Sequence, residues 1–268
     1  MIDIHHHLLH GFDDGATDFE TSVAMAKIAA GDGITHVVCS PHANNQYEYD
    51  FRAINVKIAA LQQRLEKDRI PLTLGRGCDF HLTYENIQQA KSDPARFSIN
   101  GLGYLLVEIP EYGLPQGLTD TFYQLQIAGL TPILTHPERN PTLQNDSERM
   151  VPWLRGGVLV QVTAGSVLGH MGKTAQKVAH RLLEQRWVHF LATDAHNTTS
   201  RAPRMQEALD VVAEKYSPEY AHLLCVSNPL HAFQGTPLVT QPEPADLYAD
   251  MEPESWWKRT FGVSARRP

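Results

Sequence analysis

The chain has 268 residues, 42% of them hydrophobic, and three widely spaced cysteines. This is enough apolar material for one sizeable core; it excludes disorder over the whole length and offers no disulfide framework, which points to a reducing, cytoplasmic setting. Lys and Arg number 23 against 30 Asp and Glu, a net charge of −7, so a nucleic-acid surface is excluded. Anionic substrates stay open, because bound cations can supply positive charge locally.

The opening MIDIHHHLLHGFDDG lacks the basic and apolar regions of a secretory leader. No 18-residue apolar run follows, so no membrane span is expected. Short β-branched or aromatic runs at 1–4, 34–39, 72–74, 104–109, 132–134, 158–162 and 188–192 read as strands. Helices are predicted between them. Residues 17–30 open at Thr17-Asp18, a capping pair, and close near Gly31. Residues 55–67 carry Ile58, Leu61 and Leu65 at helical spacing, and 118–128, 174–185 and 204–215 read similarly. Strand–helix alternation means an α/β fold with parallel strands. Six or seven units over residues 1–235 fit a closed barrel better than an open sheet. From Thr236 to Pro268 the chain is proline-rich, then acidic, then basic; it reads as a tail, partly disordered or packed back on the body through Trp256-Trp257.

The polar residues of chemical interest fall at the ends of the predicted strands, where a barrel places its active site. The first strand runs into His5-His6-His7, and alternation puts His5 and His7 on one face with His6 pointing away. Later strands end at His42, Asp79, Glu108, His136 and the pair Asp194 and His196. With Asp14 these make nine candidate ligands, too many for one open catalytic ion and suited to two or three. Imidazole and carboxylate together accept Mn, Fe, Zn and, less well, Mg. Two ions about 3.5–4 Å apart can activate water and clamp a phosphate in line. Arg139 and Arg201 stand close to this set in sequence, and a planar guanidinium can hold two phosphate oxygens. The remaining histidines, His10, His36, His81, His170, His180, His189, His222 and His231, read as structural.

Other chemistries fail on spacing. A cysteine phosphatase needs Arg six residues after its nucleophile, and those positions after Cys39, Cys78 and Cys225 are Asn45, Tyr84 and His231. Gly172-Lys173-Thr174 lacks the first glycine of a phosphate loop, because Val167 stands there. Gly101-Leu102-Gly103 lacks the third glycine of a dinucleotide loop.

The stretches I-D-I-H-H-H with G-F-D-D-G, S-P-H, L-V-E-I-P, T-H-P-E-R-N and T-D-A-H-N resemble the PHP superfamily. In particular they resemble its bacterial protein-tyrosine phosphatases of the capsular and exopolysaccharide type, from Met1 to about Gly235. The resemblance implies a distorted (β/α)7 barrel holding three metal ions, manganese first, with Fe, Zn or Mg as alternatives. It implies that His5, His7, Asp79 and Asp194 hold the first ion. Asp79, Glu108 and His136 would hold the second, and Asp14, His42 and His196 the third. Arg139 and Arg201 would grip phosphate, and His42 or a bound water could donate a proton. The implied substrate is a phosphotyrosyl protein, the tyrosine-rich tail of an autokinase controlling polysaccharide export. The sequence departs from the pattern at Asp79, where the family usually has Glu, at His6, where a small residue is usual, and at His10, where proline is common. Two alternatives remain beside this reading: a small-molecule phosphatase acting on a substrate such as histidinol phosphate, and a metal-binding regulatory protein without turnover.

Overall fold

The computed structural model describes residues 1–110 and 113–248. Trp256, Trp257 and the basic end of the predicted tail lie outside the described residues. The strands are β1 (Ile2–His6), β2 (His36–Cys39), β3 (His42–Ala43), β4 (Thr73–Arg76), β5 (Asp79–His81), β6 (Tyr104–Glu108), β7 (Thr131–Thr135), β8 (Leu159–Thr163) and β9 (Phe190–Ala192). They form two parallel sheets, β1-β2-β4 and β3-β5-β6-β7-β8-β9. The long helices are α1 (Phe19–Gly31), α2 (Phe51–Lys67), α3 (Tyr84–Ser92) and α4 (Leu118–Ile127), followed by Lys173–Glu184 and Gln206–Lys215.

The two sheets are one barrel of seven staves. Ser40-Pro41 interrupts β2 and β3, and Gly77-Cys78 interrupts β4 and β5, yet pairing runs on across both breaks. The Gly77 amide donates to Cys39 O at 2.8 Å and the Asp79 amide to Pro41 O at 3.1 Å. Gly77 is required at this crossing, because a Cβ there would lie 2.5 Å from Val38 Cγ1. The ring closes between the first and last staves: the Asp194 amide donates to His5 O and the His7 amide to Ala195 O, each at 2.9 Å. Buried Asp3 tightens the seam by accepting from the Thr193 amide and hydroxyl. The expected distorted (β/α)7 barrel is therefore present, and the broken second and third staves are its distortion.

Helix starts follow side-chain caps. Asp18 Oδ1 accepts from the Thr21 amide at 2.8 Å and so starts α1. Helix α2 begins at Phe51, four residues before the predicted start, because Asp50 caps it and buried Ile54 extends the stripe of Ile58, Leu61 and Leu65. Helix α3 was not predicted. Its sequence YENIQQAKS buries only Ala90, and Thr83 caps it through the Asn86 amide.

The barrel interior is apolar at one end. Ile4, Val38, Leu106, Ile133, Phe190 and Ala192 pack there, with Ala232 of the helix Asn228–Gln234 closing the floor. The outer faces of the staves pack on the helices through Val37, Leu105, Val107, Leu134, Val160 and Leu191. Residues 236–248 lie on the body rather than free of it: Trp187 Nε1 donates to Ala245 O at 3.1 Å, Arg155 Nε donates to Leu247 O at 2.8 Å, and Leu247 is buried. Among the described residues no helix is long and apolar enough to cross a membrane.

Candidate metal centre

All nine predicted ligands converge at the C-terminal mouth of the barrel, in overlapping groups whose donor atoms lie within 4.8 Å of one another. The histidines at the end of β1 and just beyond it sit at the middle. His5 Nε2 and His7 Nε2 are 3.3 Å apart and face Asp194 Oδ1 at 3.5 and 3.3 Å. Both reach the lumen although Ile4 also faces inward, because the register of β1 against β2 shifts between Asp3 and His6. His6 stands outside these groups; it is fully buried and neither ring nitrogen has a hydrogen-bond partner.

Asp79 joins two parts of the cluster. Its Oδ2 is 3.5 Å from His5 Nε2 and 3.0 Å from His42 Nδ1. His136 groups with His5 and Asp79, and its Nε2 is 3.6 Å from Glu108 Oε1. On the outer side, Asp14 Oδ1 stands 3.4 Å from His42 Nε2 and 3.5 Å from His196 Nε2. Two of these residues end their staves in the left-handed region, His136 at φ 32° and Asp194 at φ 52°. That conformation costs a non-glycine residue free energy and is concentrated at functional sites. Here it turns both side chains in over the lumen.

The surroundings prepare these groups to hold cations. Three imidazoles are tied at Nδ1 and leave Nε2 toward the cluster. His5 Nδ1–H donates to Gln161 Oε1 at 2.9 Å, His7 Nδ1–H to Asp13 Oδ2 at 2.7 Å, and His196 Nδ1–H to the Asp194 carbonyl at 2.9 Å. An outer partner of this kind fixes ring orientation and tautomer in metal sites. Asp79 is fully buried, and neither of its oxygens accepts a hydrogen bond of normal geometry. A buried carboxylate met only by imidazole edges is costly unless those rings or a bound cation carry positive charge.

Electrostatics point the same way. Burial opposes charge on His42, but the carboxylates of Asp14, Asp79 and Glu108 outweigh it and push its pKa up to about 11. Burial likewise opposes charge on His5, and Asp79 and Asp194 raise it to about 9. Burial, with Arg139 nearby, keeps His136 neutral, well below the usual imidazole range. The cluster thus draws positive charge to itself, as protons or as metal ions.

The two arginines converge on one oxygen. Arg139 Nη1 pairs with Asp194 Oδ2, and Arg201 Nη2 approaches the same atom at 2.5 Å. Asp194 therefore turns Oδ1 to the histidines and Oδ2 to the guanidiniums, which stay about a quarter to a third exposed, at 32% and 26%. Glu138, between His136 and Arg139, is buried and accepts from the Thr163 amide and hydroxyl, pinning the turn that carries both. Beside them opens a cavity of about 270 Å³ lined by Glu108, His136, Arg139, Asn140, Gln144 and Met171.

Beside Gln161, which ties His5, two further residues of the site carry no role in the sequence pattern alone. Asp13 orients His7 and also accepts from the His42 amide at 3.1 Å. His81, read there as structural, groups with His42, Asp79 and Glu108. The signal was present: Asp79-Phe80-His81 is a same-face pair, like His5 and His7.

A barrel whose strand ends gather this many imidazoles and carboxylates belongs to the class of metal-centred α/β hydrolytic folds. The model for the family described as capsular polysaccharide synthesis, CpsB/CapC, matches residues 1–234; the chain belongs to that family. It is 35% identical over 225 residues to the tyrosine-protein phosphatase YwqE of Bacillus subtilis (strain 168), covering 84% of this chain and 88% of the relative. It is 27% identical over 235 residues to the tyrosine-protein phosphatase CpsB of Streptococcus pneumoniae, covering 85% of this chain and 96% of the relative. A crystal structure from work on YwqE and CpsB, described as metal-dependent tyrosine phosphatases, superposes with a TM-score of 0.85 at 33% identity, over 92% of this chain and all 100% of that one. A lactonase from Listeria monocytogenes, 13% identical with a TM-score of 0.56 over 87% of this chain and 94% of its own, shares the fold alone.

Proposed function

We propose that the protein is a metal-dependent protein-tyrosine phosphatase, a phosphoric monoester hydrolase. The observation that carries this reading is the convergence of His5, His7, Asp14, His42, Asp79, Glu108, His136, Asp194 and His196 on one mouth, with three of the imidazoles tied at the far nitrogen and Asp79 buried between His5 and His42. These nine residues hold two or three divalent ions, manganese first. When bound, the ions supply Lewis acidity: they lower the pKa of water and offset charge on phosphoryl oxygens.

The chain's own groups do the rest. Arg139 and Arg201, anchored on Asp194, keep N–H groups free for the equatorial phosphoryl oxygens. Asp13 and Gln161 hold His7 and His5 in one tautomer throughout. The cavity beside Arg139, with Met171 and the stem of Gln144 on its wall, receives the aromatic ring of the substrate. A tyrosine leaving group has a pKa of about 10, so it departs with less need of a proton than an alkyl alcohol. Of the two proton donors the sequence offered, His42 has both ring nitrogens taken up, toward Asp14 and toward Asp79, so a bound water is the donor we assign.

The substrate we assign is a phosphotyrosyl protein, the tyrosine-rich tail of a polysaccharide-exporting autokinase. The family and the phosphatase names of the relatives support this. We place the protein in the cytoplasm, on the support of three buried free thiols. A paired assay tests the reading: manganese-loaded protein is given a phosphotyrosyl peptide and histidinol phosphate. Faster hydrolysis of the peptide is expected. Preference for the alkyl phosphate, or failure to hydrolyse any aryl phosphate, overturns it.

A further inference from the structure

One donor at the mouth stands outside the nine residues. His81 closes β5, two residues after Asp79. Its Nε2 is in close contact with Glu108 Oε2 and 3.2 Å from His42 Nδ1. His42 Nδ1 in turn is 3.0 Å from Asp79 Oδ2 and 3.6 Å from Glu108 Oε2. The donor atoms of His81, Asp79 and Glu108 all lie within 4.8 Å of one another, close enough to surround a single cation at bonds of about 2.0–2.2 Å. The two acid faces it meets are those without hydrogen-bond donors: Glu108 Oε2 and both oxygens of fully buried Asp79. From outside, Asn44 Nδ2 approaches the same His81 nitrogen at 3.4 Å.

We propose that His81 is a metal ligand through Nε2, for the ion held by Asp79 and Glu108. The division of labour at His42 requires such a nitrogen. A neutral imidazole has one lone pair, so His42 serves one ion only. Its Nε2 faces Asp14 at 3.4 Å, beside His196. Committed there, His42 keeps its Nδ1 protonated and without a lone pair on the side of Asp79 and Glu108, and His81 supplies the ligating nitrogen on that side. This assignment rests on the reading of the cluster as a metal centre.

The test measures metal directly. Wild type, His81→Ala and His81→Gln are saturated with Mn²⁺ and desalted; ions per chain are counted by elemental analysis and affinities measured by calorimetry. Loss of an outer partner costs roughly 10–100-fold in affinity, so loss of a ligand is expected to weaken one ion by on the order of 100-fold or more, and the count to fall by one. Glutamine keeps a hydrogen-bond donor to Glu108 but is a poor nitrogen ligand, so it is expected not to restore the ion. An unchanged count and affinity in His81→Ala, or full restoration by glutamine, overturns the proposal while leaving the metal centre intact. A wild-type protein that binds no metal sinks both. Independently of how the variants fold, diethyl pyrocarbonate labelling of the wild type, mapped by mass spectrometry, is expected to spare His81 in manganese and modify it after EDTA. Equal labelling in both states overturns the assignment.

Discussion

The two ends of the barrel are built from the same staves and obey opposite rules. At the floor, Ile4, Val38, Leu106, Ile133 and Phe190 interlock with at most 1% exposure, so burial and packing set the free energy. A few residues further along the same staves stand His5, Glu108, His136 and Asp194, ionisable side chains taken out of water whose free energy depends on charge and protonation rather than on packing. The floor is made for stability, and the mouth gathers ionisable groups whose balance of charge, on our proposal, bound cations would complete. Along β6 the change takes two residues, from Leu106 to Glu108 on one face. Strand pairing continues through it and holds the costly end in place.

This contrast can be broken most severely by taking the metal away. EDTA is expected to reduce phosphatase activity by roughly a thousandfold, since ions at such sites contribute several kcal/mol to the transition state, while far-UV circular dichroism stays unchanged. A barrel that melts on chelation would show that the mouth also carries the fold. Single substitutions come next. His136→Ala or Glu108→Ala should lower kcat by about 100-fold or more, beyond what an outer partner contributes, with little change in melting temperature. Ile133→Ala at the floor should do the reverse, costing about 2–5 kcal/mol of stability with kcat of the folded fraction retained. Equal effects on both quantities at both ends would erase the distinction.

Arg139→Lys sharpens it further. The charge stays but the fork is lost, so KM for a phosphotyrosyl peptide should rise about tenfold, on the order of the 1.4 kcal/mol that one charge-assisted hydrogen bond contributes, with metal content unchanged. A smaller effect concerns acid. His6 is fully buried, and burial first, then the neighbouring imidazoles of His7, His196 and His5, push its pKa down to about 3. The unfolded chain carries it near 6.5. Unfolding therefore takes up a proton between these values, so stability is full above pH about 6.5 and falls as pH drops toward 3. Melting temperatures across pH 4–7 should show the slope, and His6→Gln should flatten it. The smallest effect is expected from thiol reagents. Cys39, Cys78 and Cys225 are buried, and burial pushes the Cys225 thiol up to about 12; iodoacetamide on native protein should leave activity unchanged.

Much of the site was legible because alternation along a strand is a local rule. His5 with His7 and Asp194 with His196 declare a shared face, and strand ends declare which end of a barrel they occupy. The same rule covered Asp79 and His81, but the predicted strand ended at Asp79, whereas β5 begins anew there and runs on to His81. Without that second short strand there was no face to assign it to. Helix α3 escaped for a related reason: a nine-residue helix burying one alanine carries almost no periodicity. The grouping implied by resemblance put Glu108 with Asp79 and His136; the structure sets Glu108 also against His42 and His81.

The residues alone determined the parallel α/β alternation, the apolar runs that become staves and the supply of imidazoles and acids at their ends, because each of these depends on spacing within a few positions. Which donors share a neighbourhood depended on long-range geometry: the closure of β1 on the last stave, the breaks at Ser40-Pro41 and Gly77-Cys78, and the left-handed turns at His136 and Asp194. Distances between side chains contributed from strands far apart in the chain are fixed by how the barrel twists and closes, and no local pattern encodes that.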